Sequence, residues 1–275
     1  MIRFYATLIA FATLTALLCA VLWVLDKLGL PGRRRISVRY YKTVCWLLRI
    51  RIHVEGARPP DDQATLIISN HQSWADILVI GAVTPIDFVA KKEVRDWPLI
   101  GLAAALLRSV FVDRSRRQQT GDAVGDIASR MVDGDSVVLF AEGTSSDGNR
   151  VLQFRSALVG AASEVLNRLG DSQHVVVQPL SICYTRLQGL PMGRQHRPLV
   201  AWYGDLDFVP HLREFIARGA VDVVVTFGPP VAHGSTANRK ELARSIEGTV
   251  RQLTAATLRG RPIPVAAIPF SAENR

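Results

Sequence analysis

Cysteine is scarce, three in 275 residues, and Cys19, Cys45 and Cys183 form no C-x-x-C pair. That odd, scattered set excludes a dithiol redox site and a cysteine-built zinc site, and predicts reduced thiols in a cytoplasmic setting. The six histidines include no HExxH pattern, so no metal is expected. A G-x-S-x-G elbow is also missing, which disfavours a serine hydrolase. Acidic residues are in deficit: 24 Asp and Glu face 33 Lys and Arg, a formal net charge of +9. The partner is therefore expected to be anionic: nucleic acid, acidic phospholipid headgroups or an acidic carrier protein. No nucleic acid is expected, because the cations cluster beside an apolar stretch and no nucleic-acid-binding motif is present. Internal repeats and low-complexity segments are absent. With 48% hydrophobic residues and a mean hydropathy of +0.17, the chain is too apolar for an ordinary soluble enzyme and too polar for a polytopic membrane protein. One membrane-seeking part on a globular domain fits both values.

That part is at the N-terminus, where charge is absent for 22 residues from Phe4 to Leu25. About 20 helical residues cross the ~30 Å hydrocarbon core. The run exceeds a signal-peptide h-region and no small-x-small cleavage site precedes the charges, so a retained anchor is expected. Lys27, Arg33, Arg34, Arg35, Arg39 and Lys42 follow it, against Arg3 alone before it, which places the rest of the chain on the cytoplasmic side of the inner membrane. The first helix either spans the bilayer or dips into one leaflet. From Ile36 to Ile52 aromatic and aliphatic residues mix with cations. This stretch reads either as a helix lying in the interface or as a packed helix with a solvated basic face.

Beyond Gly56, β-branched runs at 64–69, 87–90, 109–113, 136–141, 175–182 and 222–227 alternate with helical patterns at 74–83, 98–107, 120–132, 156–169 and 240–258. Alternation of this kind predicts an α/β domain with a buried sheet, some of it antiparallel. The organisation expected is a membrane-anchoring helical segment over 1–55, an α/β domain over 56–261, and a poorly ordered Pro- and Ala-rich tail over 262–275.

At the end of the first of these runs stands Ile68-Ser69-Asn70-His71-Gln72-Ser73-Trp74-Ala75-Asp76. Inside one regular helix, His71 and Asp76 would lie about 140° apart around the axis and could not meet. They can pair only if His71 precedes the helix and Asp76 lies in its first turn, with Ser73 as N-cap. Two readings fit. In one, Ser73-x-x-Asp76 is a capping box and His71 an ordinary loop histidine. In the other, Asp76 fixes the imidazole tautomer and His71 takes a proton from an attacking hydroxyl.

The segment resembles the NHxxxxD block of the glycerolipid acyltransferase family, typified by 1-acylglycerol-3-phosphate acyltransferases. Three later segments resemble its other blocks in order: Val110-Phe111-Val112-Asp113-Arg114, Phe140-Ala141-Glu142-Gly143-Thr144-Ser145-Ser146, and Val177-Gln178-Pro179-Leu180. Lys91-Lys92-Glu93 also falls where the family often has it. The resemblance covers roughly residues 60–185. It implies a mixed central sheet flanked by helices, His71 and Asp76 as the catalytic pair, and Asn70, Lys91, Arg114, Glu142, Gly143, Thr144 and Ser145 at the substrate. It further implies direct acyl transfer from the thioester of acyl carrier protein or coenzyme A to a lysolipid hydroxyl, with no acyl-enzyme and no cofactor beyond that co-substrate. One departure stands out: Ser145 replaces the usual Arg of the third block. This opens two acceptors, 1-acyl-sn-glycerol-3-phosphate and, as in close relatives of the family, lyso-ornithine lipid. A non-catalytic lipid-binding membrane protein of the same fold is the reading from another class, and the intact His71 and Asp76 argue against it.

Overall fold

The computed structural model describes residues 2–112, 119–155, 176–232 and 239–261. The expected helix over 156–169 and the tail over 262–275 lie outside the described residues.

Two N-terminal helices, α1 (Ile2–Leu28) and α2 (Arg33–Leu47), lead into β1 (Ile50–Glu55) and β2 (Thr65–Ser69). There follow α3 (Ala75–Val83), β3 (Asp87–Lys91), α4 (Ile100–Leu106), β4 (Val110–Val112), α5 (Gln119–Val132) and β5 (Val137–Phe140). After β6 (Val176–Leu187) and β7 (Leu190–Pro191) come α6 (Phe208–Arg218), β8 (Val221–Phe227), β9 (Val231–Ala232) and α7 (Arg239–Leu258). The strands form one mixed sheet in the order β1-β8-β6-β2-β5-β3-β4, with β7 and β9 added to β6. From β6 through β2, β5 and β3 to β4 every pairing is parallel. The β6–β8 pairing is antiparallel and β1 runs parallel to β8.

The period-two geometry of strands divides the core into two layers. Ile67, Val138, Leu180, Ile182 and Val223 point to the layer formed by α1, α2, α3 and α6. Leu66, Ile68, Val137 and Val177 point to the layer formed by α5 and α7, where Ile127, Met131, Leu242, Ile246 and Val250 meet them. Between α2 and α3 the approach is close enough that a Cβ on Gly81 would lie 2.4 Å from the ring of Tyr41. Gly81 is therefore required for the contact rather than for a turn.

Two elements differ from the sequence reading. The helix expected to run to Ile52 stops at Leu47. Arg49 then turns the chain with φ 57°, and Ile50 to Glu55 enter the sheet beside Val221 to Thr226. The apolar alternation Ile50, Ile52, Val54 is masked by the interleaved Arg51 and His53. The helix α6 had no expectation at all; Leu212, Phe215 and Ile216 form its inward stripe. Of the two readings for the stretch from Ile36, packing is what the structure shows. Tyr40, Tyr41, Val44 and Cys45 are buried in the main core. Arg33 and Arg34, counted above among cations flanking the membrane, are both paired with the buried Asp135, Arg34 at 2.7 Å.

Among the described residues, α1 is the one helix long and apolar enough to cross a membrane. Its 27 residues give a length of ~40 Å. Thr15, Leu18, Cys19 and Leu22 form the face buried against the domain, and the Thr15 hydroxyl meets Tyr40 Oη at 2.9 Å. The remaining faces stay apolar and exposed, with Ile2, Tyr5, Ile9, Leu17, Val21, Trp23, Val24 and Leu28 uncovered. An exposed apolar surface of this extent on one helix is unfavourable in water and favourable in lipid.

Candidate active site

Parallel strands place the residues that follow them on one edge of the sheet. Ser69, Lys91, Val112 and Phe140 are the last residues of β2, β3, β4 and β5. Among the described residues, the segments that continue from β2, β3 and β5 carry Asn70 and His71, Lys92, and Glu142. Blocks more than twenty residues apart in sequence thus converge because β5 lies between β2 and β3. Arg114 and the side chain of Lys91 lie outside the described residues.

His71 Nδ1 lies 2.8 Å from Asp76 Oδ2. The same oxygen accepts the backbone N–H groups of Gln72 at 2.6 Å and Ser73 at 2.9 Å, while Oδ1 accepts the hydroxyl of Tyr184 at 2.7 Å. Backbone N–H groups only donate, so Oδ2 is an acceptor and Nδ1 carries the proton it shares with it. In the neutral ring Nε2 then keeps its lone pair, the form a general base requires. The imidazole stacks on Phe140, with ring centroids 4.1 Å apart. The His71 side chain is 20% exposed and that of Asp76 is 0% exposed. The imidazole is reachable, and the carboxylate bonded to it is sealed from water.

This geometry joins the two readings left open above. Asp76 reaches back to the Ser73 N–H, which is the acidic half of a capping box, and with the same oxygen it holds His71. Ser73 does not supply the other half, contrary to expectation. The helix begins after Trp74 with no side-chain cap, and Ser73 Oγ is buried without a partner. The Asp76 N–H, which a Ser73 side-chain cap would accept, donates instead to the Ser73 carbonyl at 3.1 Å.

Asn70, expected at the substrate, is fully buried. Its carboxamide donates to Ile182 O at 3.0 Å and accepts the Ile182 N–H at 2.9 Å. It extends the β2–β6 pairing by one side-chain rung and fixes where His71 leaves the sheet, a positioning task. Gln72 donates to the same carbonyl at 2.8 Å.

The turn after β5 is tied to His71 on both sides. Glu142 Oε1 accepts the His71 N–H at 3.4 Å, and the Ser146 N–H donates to His71 O at 2.9 Å. Glu142 is buried, and desolvation pushes its carboxyl up to about 8. Gly143 adopts φ 70°, and the Arg155 side chain lies directly on it: a Cβ there would be 2.7 Å from Arg155 Nε. Thr144 is exposed. The Ser145 hydroxyl donates to Trp202 O, and the Trp202 N–H donates to Gln72 O at 2.8 Å. Ser145, expected at the substrate, thus fastens a later loop to the one that carries His71. Tyr184 and Trp202 escaped the sequence reading. Each acts through a contact more than fifty residues away, and no local pattern marks it.

The buried Glu142 carries a pH signature. Its folded-state value lies above its ordinary 4.5, so between the two the folded chain holds a proton that the unfolded chain has released. Stability from this group is complete below pH 4.5 and is lost as pH rises through about 8. Asp87, pushed up to about 7 chiefly by burial, acts with the same sign. Glu142→Gln is expected to keep the His71 backbone contact and to flatten the upper part of this decline in melts recorded across the range. An unchanged pH profile in the variant would show that Glu142 is ionised when folded.

A family model described as Acyltransferase matches residues 50–183, starting at β1, whose pairing with β8 makes it part of the sheet. The lyso-ornithine lipid O-acyltransferase of Brucella abortus is 44% identical over 96% of this chain and 98% of its own length. Its counterpart from Rhizobium meliloti is 45% identical over 85% of this chain and 80% of its own. The crystal structure of the 1-acyl-sn-glycerophosphate acyltransferase of Thermotoga maritima superposes with a TM-score of 0.60 at 22% identity, covering 95% of this chain and 99% of that one; this likeness shows the shared fold. Identity of 44% over almost the whole of both chains, together with the family-model match, shows that the chain belongs to the acyltransferase family.

Proposed function

We propose that the chain is a lysolipid O-acyltransferase whose acceptor is lyso-ornithine lipid, working at the inner membrane with its α/β domain on the cytoplasmic side. The observation that carries the chemistry is the His71–Asp76 pair, with Nδ1 held at 2.8 Å on a side chain that is 20% exposed. The relatives at 44% and 45% identity that bear the lyso-ornithine name support the acceptor, as does Ser145, whose hydroxyl is engaged by Trp202 in place of a cation suited to phosphate.

In this reading, His71 Nε2 removes the proton from the acceptor hydroxyl as its oxygen forms a bond to the carbonyl carbon of an acyl thioester. The C–S bond then breaks, and the departing thiolate takes the proton from the imidazolium. Asp76 keeps Nδ1–H in place and offsets the positive charge that His71 gains. The donor is the thioester of acyl carrier protein or coenzyme A, and no further cofactor takes part. The apolar faces of α1 seat the domain in lipid, so an acceptor arrives from the bilayer. Incubating the purified chain with labelled acyl thioester and, separately, lyso-ornithine lipid or lysophosphatidic acid tests the reading. Faster acylation of lyso-ornithine lipid is expected. Preference for the phosphate acceptor would overturn the acceptor assignment, and binding without product from either would overturn catalysis.

A further inference from the structure

We propose that Arg155 binds the anionic group of the acceptor headgroup and so sets the KM for the acceptor. The inference rests on the acyl-transfer reading above.

Arg155 lies on the segment that returns from the turn after β5, and its backbone N–H is anchored to Ala141 O at 2.8 Å. From there its side chain folds back over Gly143, where Nε, Cδ and Cζ all lie within 3.2 Å of the position a Cβ would take. Any other residue at 143 would evict the guanidinium and would also be strained by the φ of 70°. Because Glu142 and Ser146 hold the backbone of His71 from either side, the guanidinium sits on the same turn that frames the general base. The Arg155 side chain is exposed, and no carboxylate pairs with it among the described residues.

Other cations near this turn have side-chain partners. Arg197 donates to Asn149 at 3.1 Å and Arg251 is paired with Glu247 at 2.8 Å. An exposed guanidinium with no carboxylate partner among the described residues, its backbone bonded to Ala141 beside Glu142, is suited to a ligand anion that it can grip in bidentate fashion. The ligand class is a carboxylate or phosphate carried by the same molecule that offers the hydroxyl to His71.

Arg155→Gln and Arg155→Lys in the full-length chain, assayed in mixed micelles with saturating acyl thioester, test this. Lyso-ornithine lipid and lysophosphatidic acid serve as separate acceptor arms and show whether the anion gripped is a carboxylate or a phosphate. Loss of a hydrogen-bonded charged contact predicts an acceptor KM raised about 10- to 100-fold in Arg155→Gln. The donor KM and the kcat at saturating acceptor should stay within about twofold. Arg155→Lys should recover part of the loss, which a merely structural role for an exposed side chain would not produce. An unchanged acceptor KM in both arms, or a change confined to the donor KM, would overturn the assignment while leaving acyl transfer intact. A wild-type chain that acylates neither acceptor would instead overturn the underlying reading.

Discussion

Replacing His71 with alanine is expected to lower the rate of acyl transfer by a factor of ~10² to 10⁴ or more, the range general base catalysis supplies, while leaving the fold and membrane retention intact. The reason for the separation is geometric. His71 uses its ring to reach Asp76, yet the loop around it is held by other atoms: its own backbone N–H and carbonyl bond Glu142 and Ser146, and Asn70 and Gln72 bond Ile182. Removing the imidazole uncovers one face of Phe140 and deprives Asp76 of one of four donors. The protein should melt close to wild type and remain with the membrane fraction, because α1 is untouched. Activity within a fewfold of wild type in His71→Ala would remove the mechanism.

Asp76→Ala should fail differently, losing activity and stability together. The Asp76 carboxylate is fully buried and satisfies Gln72 N–H, Ser73 N–H and Tyr184 Oη besides His71. Alanine leaves those three donors without a partner in the core, at about 1–3 kcal/mol each when unrelieved. Partial relaxation makes a net loss of about 3–5 kcal/mol the expected value, in line with breaking a buried pair. Denaturant titration reads this directly. Asp76→Asn, which keeps the shape and one acceptor oxygen, should recover much of the stability while activity stays ~10² to 10⁴ below wild type, because an amide neither fixes the Nδ1–H tautomer nor offsets an imidazolium. Activity near wild type in Asp76→Asn would show that Asp76 serves only as a cap.

How much of this could be read from the residues follows from distance along the chain. His71 and Asp76 were readable because both partners and the helix start that joins them lie within one short segment, so a count of angular steps decided the geometry. The strands β2 to β6 were readable as β-branched runs, although β6 extends to Leu187 past the predicted end. Convergence of the separate blocks was not, since it depends on a sheet order in which β5 inserts between β2 and β3. Tyr184 reaches Asp76 only because the antiparallel β6–β8 register directs it inward, and nothing near it in sequence marks that role. Asn70 illustrates the opposite error. Its motif position suggested substrate contact, whereas both polar atoms of its side chain are taken up by Ile182. The arginines after the first helix suggested lipid, and the structure pairs two of them with an aspartate from a strand-leading turn a hundred residues on.

The most direct test of catalysis by His71 without an acyl-enzyme is a single-turnover reaction with acyl-labelled thioester and lysolipid, quenched at successive times and separated into protein, donor and lipid. Label is expected to move from thioester to lipid with none retained on the protein, and the transfer should disappear in His71→Ala. Label held covalently on the chain before it reaches the lipid, or undiminished transfer in the variant, would contradict this mechanism.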